Sequence, residues 1–356
     1  MRFKDSRTNN GMKILITTGI YPPDLGGPAT YVKHLEEVWS RQGHEVRIAT
    51  YRWERSIPSP LRHVAYFLKV LKKSFGVEKI LVLDTWSAAL PTMVVCAISG
   101  KQYVIRTGGD FLWESYVERT GEKVLFKDFY DMSIVRFNKK EKIIFNLTKL
   151  LLNRAKILIF STEWQKNIFE KAYSLDSNKN VIIENCYESP NEDKSILPTE
   201  PSNRNFIAGS RRVKFKNIDL LESAFQKARS EVRDRGFGGI ELDTRHYLHE
   251  EFLQTIKRSY AVILVSLGDI SPNIIMEALR FGVPCIVTRE NGVMNRIKDY
   301  VLLVNPLDEE DIKKNIVWLS DPAHREKLAR KARTFTFTHT WEEIAREIEN
   351  VWERIT

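Results

Sequence analysis

The sequence is poor in the features that would place it in several large classes. Only three cysteines occur in 356 residues, Cys96, Cys186 and Cys285. They stand about a hundred residues apart, with no CxxC or CxxH pairing to hold zinc or define a disulfide framework, so a reducing, cytoplasmic setting is expected. No run approaches the roughly 18 apolar residues that cross a bilayer. The longest candidates, 88–99 and 143–152, read as core helices. The first eleven residues are polar and lack the apolar centre of a signal peptide. No GxGxxG follows a predicted strand and no GxxxxGK[ST] occurs, which argues against a dinucleotide oxidoreductase and a P-loop NTPase. No DxD motif is present, and no metal site is expected.

What is there is an ordinary globular composition, 43% hydrophobic and 28% charged, over a length that suits two domains. The net charge of +9 is unevenly spread. Residues 1–186 carry 29 Lys and Arg against 19 Asp and Glu, whereas the remainder carries 26 against 27. A basic first half suits nucleic acid, an anionic membrane surface or a phosphorylated substrate. No helix-turn-helix, RRM or KH signature supports nucleic acid, which is not expected as a partner.

Short β-branched runs alternate with amphipathic segments of helical length. In the first half, 13–18, 46–50, 80–83, 103–106, 157–160 and 181–183 read as strands. Pro190, Pro198 and Pro201, among Ser, Asn, Asp and Glu, then break every periodicity. A second alternation has strands at 205–208, 240–242, 262–265, 285–287 and 301–304. The pattern predicts an α/β protein of two Rossmann-like domains with parallel sheets facing an interdomain cleft. The expected boundaries are 12–188 for an acceptor-binding domain, 189–204 for a linker, 205–338 for a donor-binding domain and 339–356 for a helix crossing back to the first domain. That helix carries Trp341, Ile344, Ile348, Val351 and Ile355 on one stripe.

The motifs follow predicted strands, where open parallel sheets bind ligands. After the first strand, Gly26 and Gly27 allow close backbone approach and Pro28 suits the first turn of a helix, whose N-terminus favours an anion. A loop that merely needs two flexible residues is the bland alternative. After the strand at 205–208 come Arg211, Arg212, Lys214 and Lys216, cations suited to a diphosphate or to a solvated basic turn. After the strand at 262–265, Ser271 is expected to cap a helix with Pro272 in its first position, and Gly282 with Pro284 to close it. Glu277 lies within that largely apolar helix and needs hydrogen-bonding partners, either ligand hydroxyls or a helix cap.

These residues together resemble the retaining nucleotide-sugar glycosyltransferases of family 4, which have the GT-B fold. The resemblance runs from Met12 to the last helix. The family hallmark is two acids eight apart before an Ala-containing helix and a Gly-x-Pro, and Asp269 and Glu277 match it with Asp in place of the usual first Glu. The usual Arg and Lys five apart match Arg211 and Lys216. Lesser matches are Asn185 and Asn291-Gly292.

The resemblance implies a catalytic set of Asp269, Arg211 and Lys216. It implies Gly26, Gly27, Ser271, Asn273, Ile274 and Glu277 as donor-binding, the last on the ribose. Arg106, Thr107, Gly109 and Asp110 would form the loop near acceptor and transferred sugar. Thr107 stands where the family has a His, which leaves that role empty or passed to Arg106 or Asp110. Ser271-Pro272 replaces the usual aromatic-glycine pair. The implied activity is metal-independent and needs no cofactor. A sugar would pass from a UDP- or GDP-type donor to a glycan or lipid-linked acceptor, in polysaccharide or glycolipid synthesis at the cytoplasmic membrane face.

The alternative is a GT-B binding module at the membrane surface that has lost catalysis. For membrane contact, 61–75 places Leu61, Val64, Ala65, Leu68, Leu71 and Phe75 on one helical face with Arg62, Lys69, Lys72 and Lys73 outside it. Arg136 to Lys142 adds a second basic cluster. A plain solvated helix reads the same way.

Overall fold

The computed structural model describes residues 11–355 except 25, 188–203, 210, 211, 246 and 248. The expected linker therefore lies almost wholly outside the described residues, and so does Arg211.

Eleven strands are described: β1 Lys13–Thr18, β2 Glu45–Thr50, β3 Lys79–Val82, β4 Val104–Arg106, β5 Ile157–Phe160, β6 Asn180–Ile182, β7 Asn205–Ile207, β8 Glu241–Asp243, β9 Ala261–Leu264, β10 Cys285–Thr288 and β11 Leu302–Val304. They form two parallel sheets, ordered β2-β1-β3-β4-β5-β6 and β11-β10-β9-β7-β8. Central strands such as β5, β9 and β10 are buried along their whole length, which is why they read as continuous apolar runs rather than alternating ones. In each sheet the first strand in sequence lies between the second and the third. The strand order thus reverses at β1/β3 and at β7/β9, the positions where such sheets open a crevice at their carboxyl ends.

By contact the chain divides into two units, 1–112 with 136–186 and 339–356, and 113–135 with 187–338. The segment 113–135, which sequence order assigns to the first domain, clusters with the second unit. Local periodicity carries no information on such an association. In the first unit, the helix Gly27–Arg41 presents Tyr31, Val32, Leu35, Val38 and Trp39 to the sheet, and the helix Trp341–Glu353 joins the same core through Ile344, Ile348, Val351 and Trp352. The Trp39 and Trp352 rings lie 5.2 Å apart between centroids, and Trp39 Nε1 donates to Glu349 at 2.8 Å. In the second unit, one core lies under the helices Ile218–Asp234 and Glu309–Leu319, and another gathers Ile275, Ala278 and Leu279 of the helix Asn273–Arg280 against Val262, Leu264 and Val287.

The helix Ser59–Lys73 turns much of its apolar stripe outward. Its buried positions are Tyr66 and Val70, while Leu61, Val64 and Leu68, with Phe75 just beyond, are 60%, 56%, 57% and 69% exposed. Polar partners decide the orientation. Tyr66 stacks on Tyr51 with centroids 4.0 Å apart and donates to Ala49 O at 2.7 Å. Arg62 donates to Glu54 O at 3.1 Å, and Lys69 donates to Thr50 O at 3.0 Å and pairs with the fully buried Glu54 carboxylate. Arg62 and Lys69 therefore serve the interior side rather than the solvent rim, because the buried carboxylate needs a cation.

Candidate functional site

The carboxyl ends of β7 and β9 bring Lys216 and Asp269 together. The chain leaves β7, makes a short 3-10 turn at Lys214–Lys216 and passes through Asn217 in the left-handed conformation, φ 58°, into the helix Ile218–Asp234. Asn217 is buried, and its side-chain amide donates to Pro306 O at 2.7 Å and Val265 O at 3.3 Å, tying this turn to the end of β9. Lys216 Nζ then lies 2.7 Å from Asp269 Oδ2, with the two side chains only 19% and 13% exposed. The other described cations of the turn are also engaged: Arg212 pairs with Glu222, and Lys214 Nζ donates to Glu118 O at 2.8 Å.

Asp269 is held through its backbone as well. Its N–H donates to Glu290 O at 2.9 Å and its carbonyl accepts from Gly292 N at 3.0 Å, so the loops after β9 and β10 are laced together beside the carboxylate. Glu290 and Asn291 are buried, and Asn291 Nδ2 donates to Thr288 O at 2.7 Å. Gly268, just before Asp269, is required by space. A Cβ there would stand 2.6 Å from Phe126 Cβ and 3.3 Å from the Trp113 ring.

The helix Asn273–Arg280 begins at the same strand end. Pro272 occupies its N-cap and accepts from Ile275 N at 3.0 Å, with no side-chain cap. The expected Ser271 cap is replaced by a hydrogen bond between the Ser271 and Tyr187 hydroxyls, which draws the serine side chain away from the helix. Asn273 is exposed and Ile274 half-buried at this N-terminus. Glu277, one turn in, is largely buried, and desolvation pushes its carboxyl up to about 7, opposed by the Arg280 charge. It is thus poised to gain from any donor that stabilises its ionised form.

The remaining expected site residues lie in the first unit. Gly26 has φ 142° and caps the helix Gly27–Arg41, its carbonyl accepting from Ala29 N at 3.0 Å. Both Gly26 and Gly27 are exposed. Asp24, nearby, is bound by Arg55 through two contacts of 2.8 Å, which lower its pKa. At the end of β4, Arg106 is buried; its guanidinium lies 3.8 Å from the Tyr31 ring centroid, bonds Asn185 and donates to Ser161 at 3.0 Å. Thr107 is fully buried, and its hydroxyl donates to Ile159 O at 3.2 Å. That hydroxyl serves the backbone of β5. Gly109 is exposed and Asp110 buried, and Gln165 Nε2 holds Gly108 O at 2.7 Å.

Sequence reasoning did not single out Trp113, Glu118, Phe126, Lys127 or Glu290, all of which surround the Lys216–Asp269 pair. Nothing in their local pattern marks them, since they come from segments far apart in the chain. Among the described residues no three His, Cys, Asp or Glu side chains gather as a metal cluster would, and no helix is long and apolar enough to cross a membrane.

The sequence and the fold are similar to known proteins. Residues 244–335, which include Asp269 and Glu277, match the family model described as glycosyl transferases group 1. No curated protein matches the sequence. Among solved structures, the sucrose-phosphate synthase of Thermosynechococcus elongatus is similar at TM-score 0.66 and 15% identity, covering 97% of this chain and 99% of that one. HepE of Anabaena, in complex with UDP and glucose, gives 0.64 and 15% over 96% and 99%. WaaG, a glycosyltransferase involved in lipopolysaccharide biosynthesis, gives 0.66 and 13% over 96% and 99%. At such identities the likeness speaks for the fold. The chain accordingly has the GT-B fold of two parallel-sheet, Rossmann-like domains, and its residues 244–335 are similar to glycosyl transferases group 1.

Proposed function

We propose that the protein is a retaining, metal-independent family 4 glycosyltransferase. It moves a sugar from a UDP- or GDP-type nucleotide diphosphate-sugar to a glycan or lipid-linked acceptor. The observation that carries the reading is the Lys216–Asp269 pair at the β7/β9 reversal, beside the N-terminus of the helix bearing Glu277. A cation, a carboxylate and a helix N-terminus at one strand end suit, in turn, a diphosphate, sugar hydroxyls and the negative charge that grows on a leaving phosphate.

In this reading the bond from the anomeric carbon to the diphosphate oxygen breaks while the acceptor oxygen bonds to the same face of that carbon. The acceptor proton passes to the leaving diphosphate oxygen. Lys216, Arg211 and the amides at Ser271, Asn273 and Ile274 stabilise the diphosphate charge. Asp269 orients the transferred sugar, and Glu277 accepts from the ribose hydroxyls. Gly26 and Gly27 let the donor approach the backbone, and Arg106, Gly109 and Asp110 serve the acceptor side. Thr107 is left out of this division of labour, because its hydroxyl is bonded to Ile159 O.

The exposed stripe Leu61, Val64, Leu68 and Phe75, with Lys72 and Lys73 beside it in sequence, supports peripheral binding to an anionic membrane surface at the inner face. Arg136, Lys139, Lys140 and Lys142 add exposed positive charge. A lipid-linked acceptor fits such a surface, which connects the reading to glycolipid or cell-surface polysaccharide synthesis.

The test is thermal unfolding with UDP, GDP, ADP and their sugar conjugates, followed by transfer assays with the donor that binds. Saturation at a hundred times the dissociation constant adds about 2.7 kcal/mol to the native state. A shift with one base and turnover of its sugar conjugate supports the enzyme. Binding without turnover supports the non-catalytic module instead, and no shift with any nucleotide overturns the donor site.

A further inference from the structure

We propose that Trp113, Phe126 and Lys127 are positioning residues for the Lys216–Asp269 pair. The segment 113–135 would then be part of the donor site's machinery, although it is inserted between β4 and β5 of the first sheet. This rests on the donor reading given above.

The observations converge from several sides. The Trp113 ring packs 5.3 Å from Phe215, the residue before Lys216, and 5.0 Å from Phe126, centroid to centroid. Phe126 N donates to Leu267 O at 3.2 Å, and Leu267 N donates to Phe215 O at 2.8 Å, so one short ladder joins the segment, the loop after β9 and the turn after β7. Gly268 has no room for a side chain because Phe126 and Trp113 fill the space over it. Lys127 Nζ pairs with Glu290 Oε1 at 2.7 Å, and the carbonyl of that buried glutamate accepts the Asp269 N–H at 2.9 Å. On the Lys214 side, Glu118 Oε2 accepts from Lys214 N at 2.9 Å.

Apart from the Trp113–Phe126 packing, these contacts fall on 214–215, on 267–268 or on Glu290, and none engages the Lys216 ammonium or the Asp269 carboxylate. That is the arrangement of a support that fixes the geometry of the pair without engaging its charged atoms. Phe126 and Trp113 set the depth of the Asp269 loop. Lys127 holds Glu290, and thereby the carbonyl that orients the Asp269 backbone. Lys127 is half exposed, so its removal acts on this loop without emptying a core.

The experiment compares wild type, Lys127→Ala and Lys127→Arg by calorimetric titration with UDP, GDP and their glucose conjugates and by hydrogen exchange of peptides covering 266–270 and 290–293. The expected result for Lys127→Ala is about a tenfold loss of affinity for the glucose conjugate of the nucleotide that binds wild type, because Asp269 orients the sugar. Faster exchange should be confined to those two loops, with β9 and β10 protected as before, and Lys127→Arg should restore both. Wild-type affinity in Lys127→Ala, or faster exchange spread over the whole second unit and not repaired by arginine, would overturn the positioning role while leaving the donor reading intact. Failure of wild type to bind either nucleotide would overturn the donor reading and the positioning role with it.

Discussion

Lys216 Nζ and Asp269 Oδ2 stand 2.7 Å apart, 53 residues apart in sequence, at the ends of two strands between which the order of the second sheet reverses. The ammonium that would meet a diphosphate already has an anionic partner. A donor phosphate must share or displace that carboxylate, and the competition makes opposite predictions for the two residues.

Lys216→Ala should weaken UDP or GDP binding by about tenfold to a hundredfold, the range for one charge-assisted hydrogen bond. Asp269→Asn should tighten the free nucleotide by about threefold, because it removes a negative charge near the phosphates, yet it should depress sugar transfer. Calorimetric titration of both variants checks this. Weaker nucleotide binding by Asp269→Asn would show that the carboxylate orders Lys216 more than it competes for it.

Burial raises the Glu277 carboxyl to about 7 from an ordinary value of 4.5. The unfolded chain loses this proton near the ordinary value while the native state keeps it. Stability from this group is therefore full at low pH and falls as pH rises from about 4.5 through 7, by on the order of 3 kcal/mol in all. Glu277→Gln should flatten that decline in urea titrations at pH 5 and pH 8.

Ribose hydroxyls that donate to Glu277 favour its ionised form. Affinity for a ribonucleotide should then rise between pH 6 and pH 8 relative to its 2′-deoxy analogue, which controls for titration of the phosphate itself. Parallel pH profiles for the two nucleotides would remove ribose as the partner of Glu277.

Gly268→Ala would force a methyl group to 2.6 Å from Phe126 Cβ. Overpacking of this kind costs about 1–3 kcal/mol. The urea midpoint should fall accordingly, and sugar transfer should fall with it, because the displaced loop carries Asp269.

Replacing Leu61, Leu68 and Phe75 by serine should leave stability within about 0.5 kcal/mol for each site, since all three are exposed. Sedimentation with vesicles containing anionic lipid should drop sharply. Retention equal to wild type would assign the stripe to another occupant.

Much of the fold was legible because its signals are local. Strands buried on both faces spell apolar runs, and all eleven were found within a few residues of their observed ends. The acids eight apart were legible for the same reason, since one strand, one loop and one helix carry them. Cap chemistry at Ser271 was misjudged because Tyr187, 84 residues away, takes the hydroxyl. The stripe on the helix Ser59–Lys73 shows the same limit. Periodicity names the residues that share a face, but Glu54, Tyr51 and the carbonyls of 49 and 50 decide which face turns inward.

The sequence by itself determined two alternations of strand and helix, the glycine, cation and acid motifs at strand ends, and the charge imbalance between its halves. These follow from spacing along the chain. Only the tertiary structure decided that Lys216 meets Asp269, that Thr107 spends its hydroxyl on β5, and that 113–135 leaves its neighbours in sequence to brace the loop after β9. Those are contacts between segments distant in the chain. Their selection depends on which buried polar groups find partners and which volumes fill, quantities that exist only once the segments have come together.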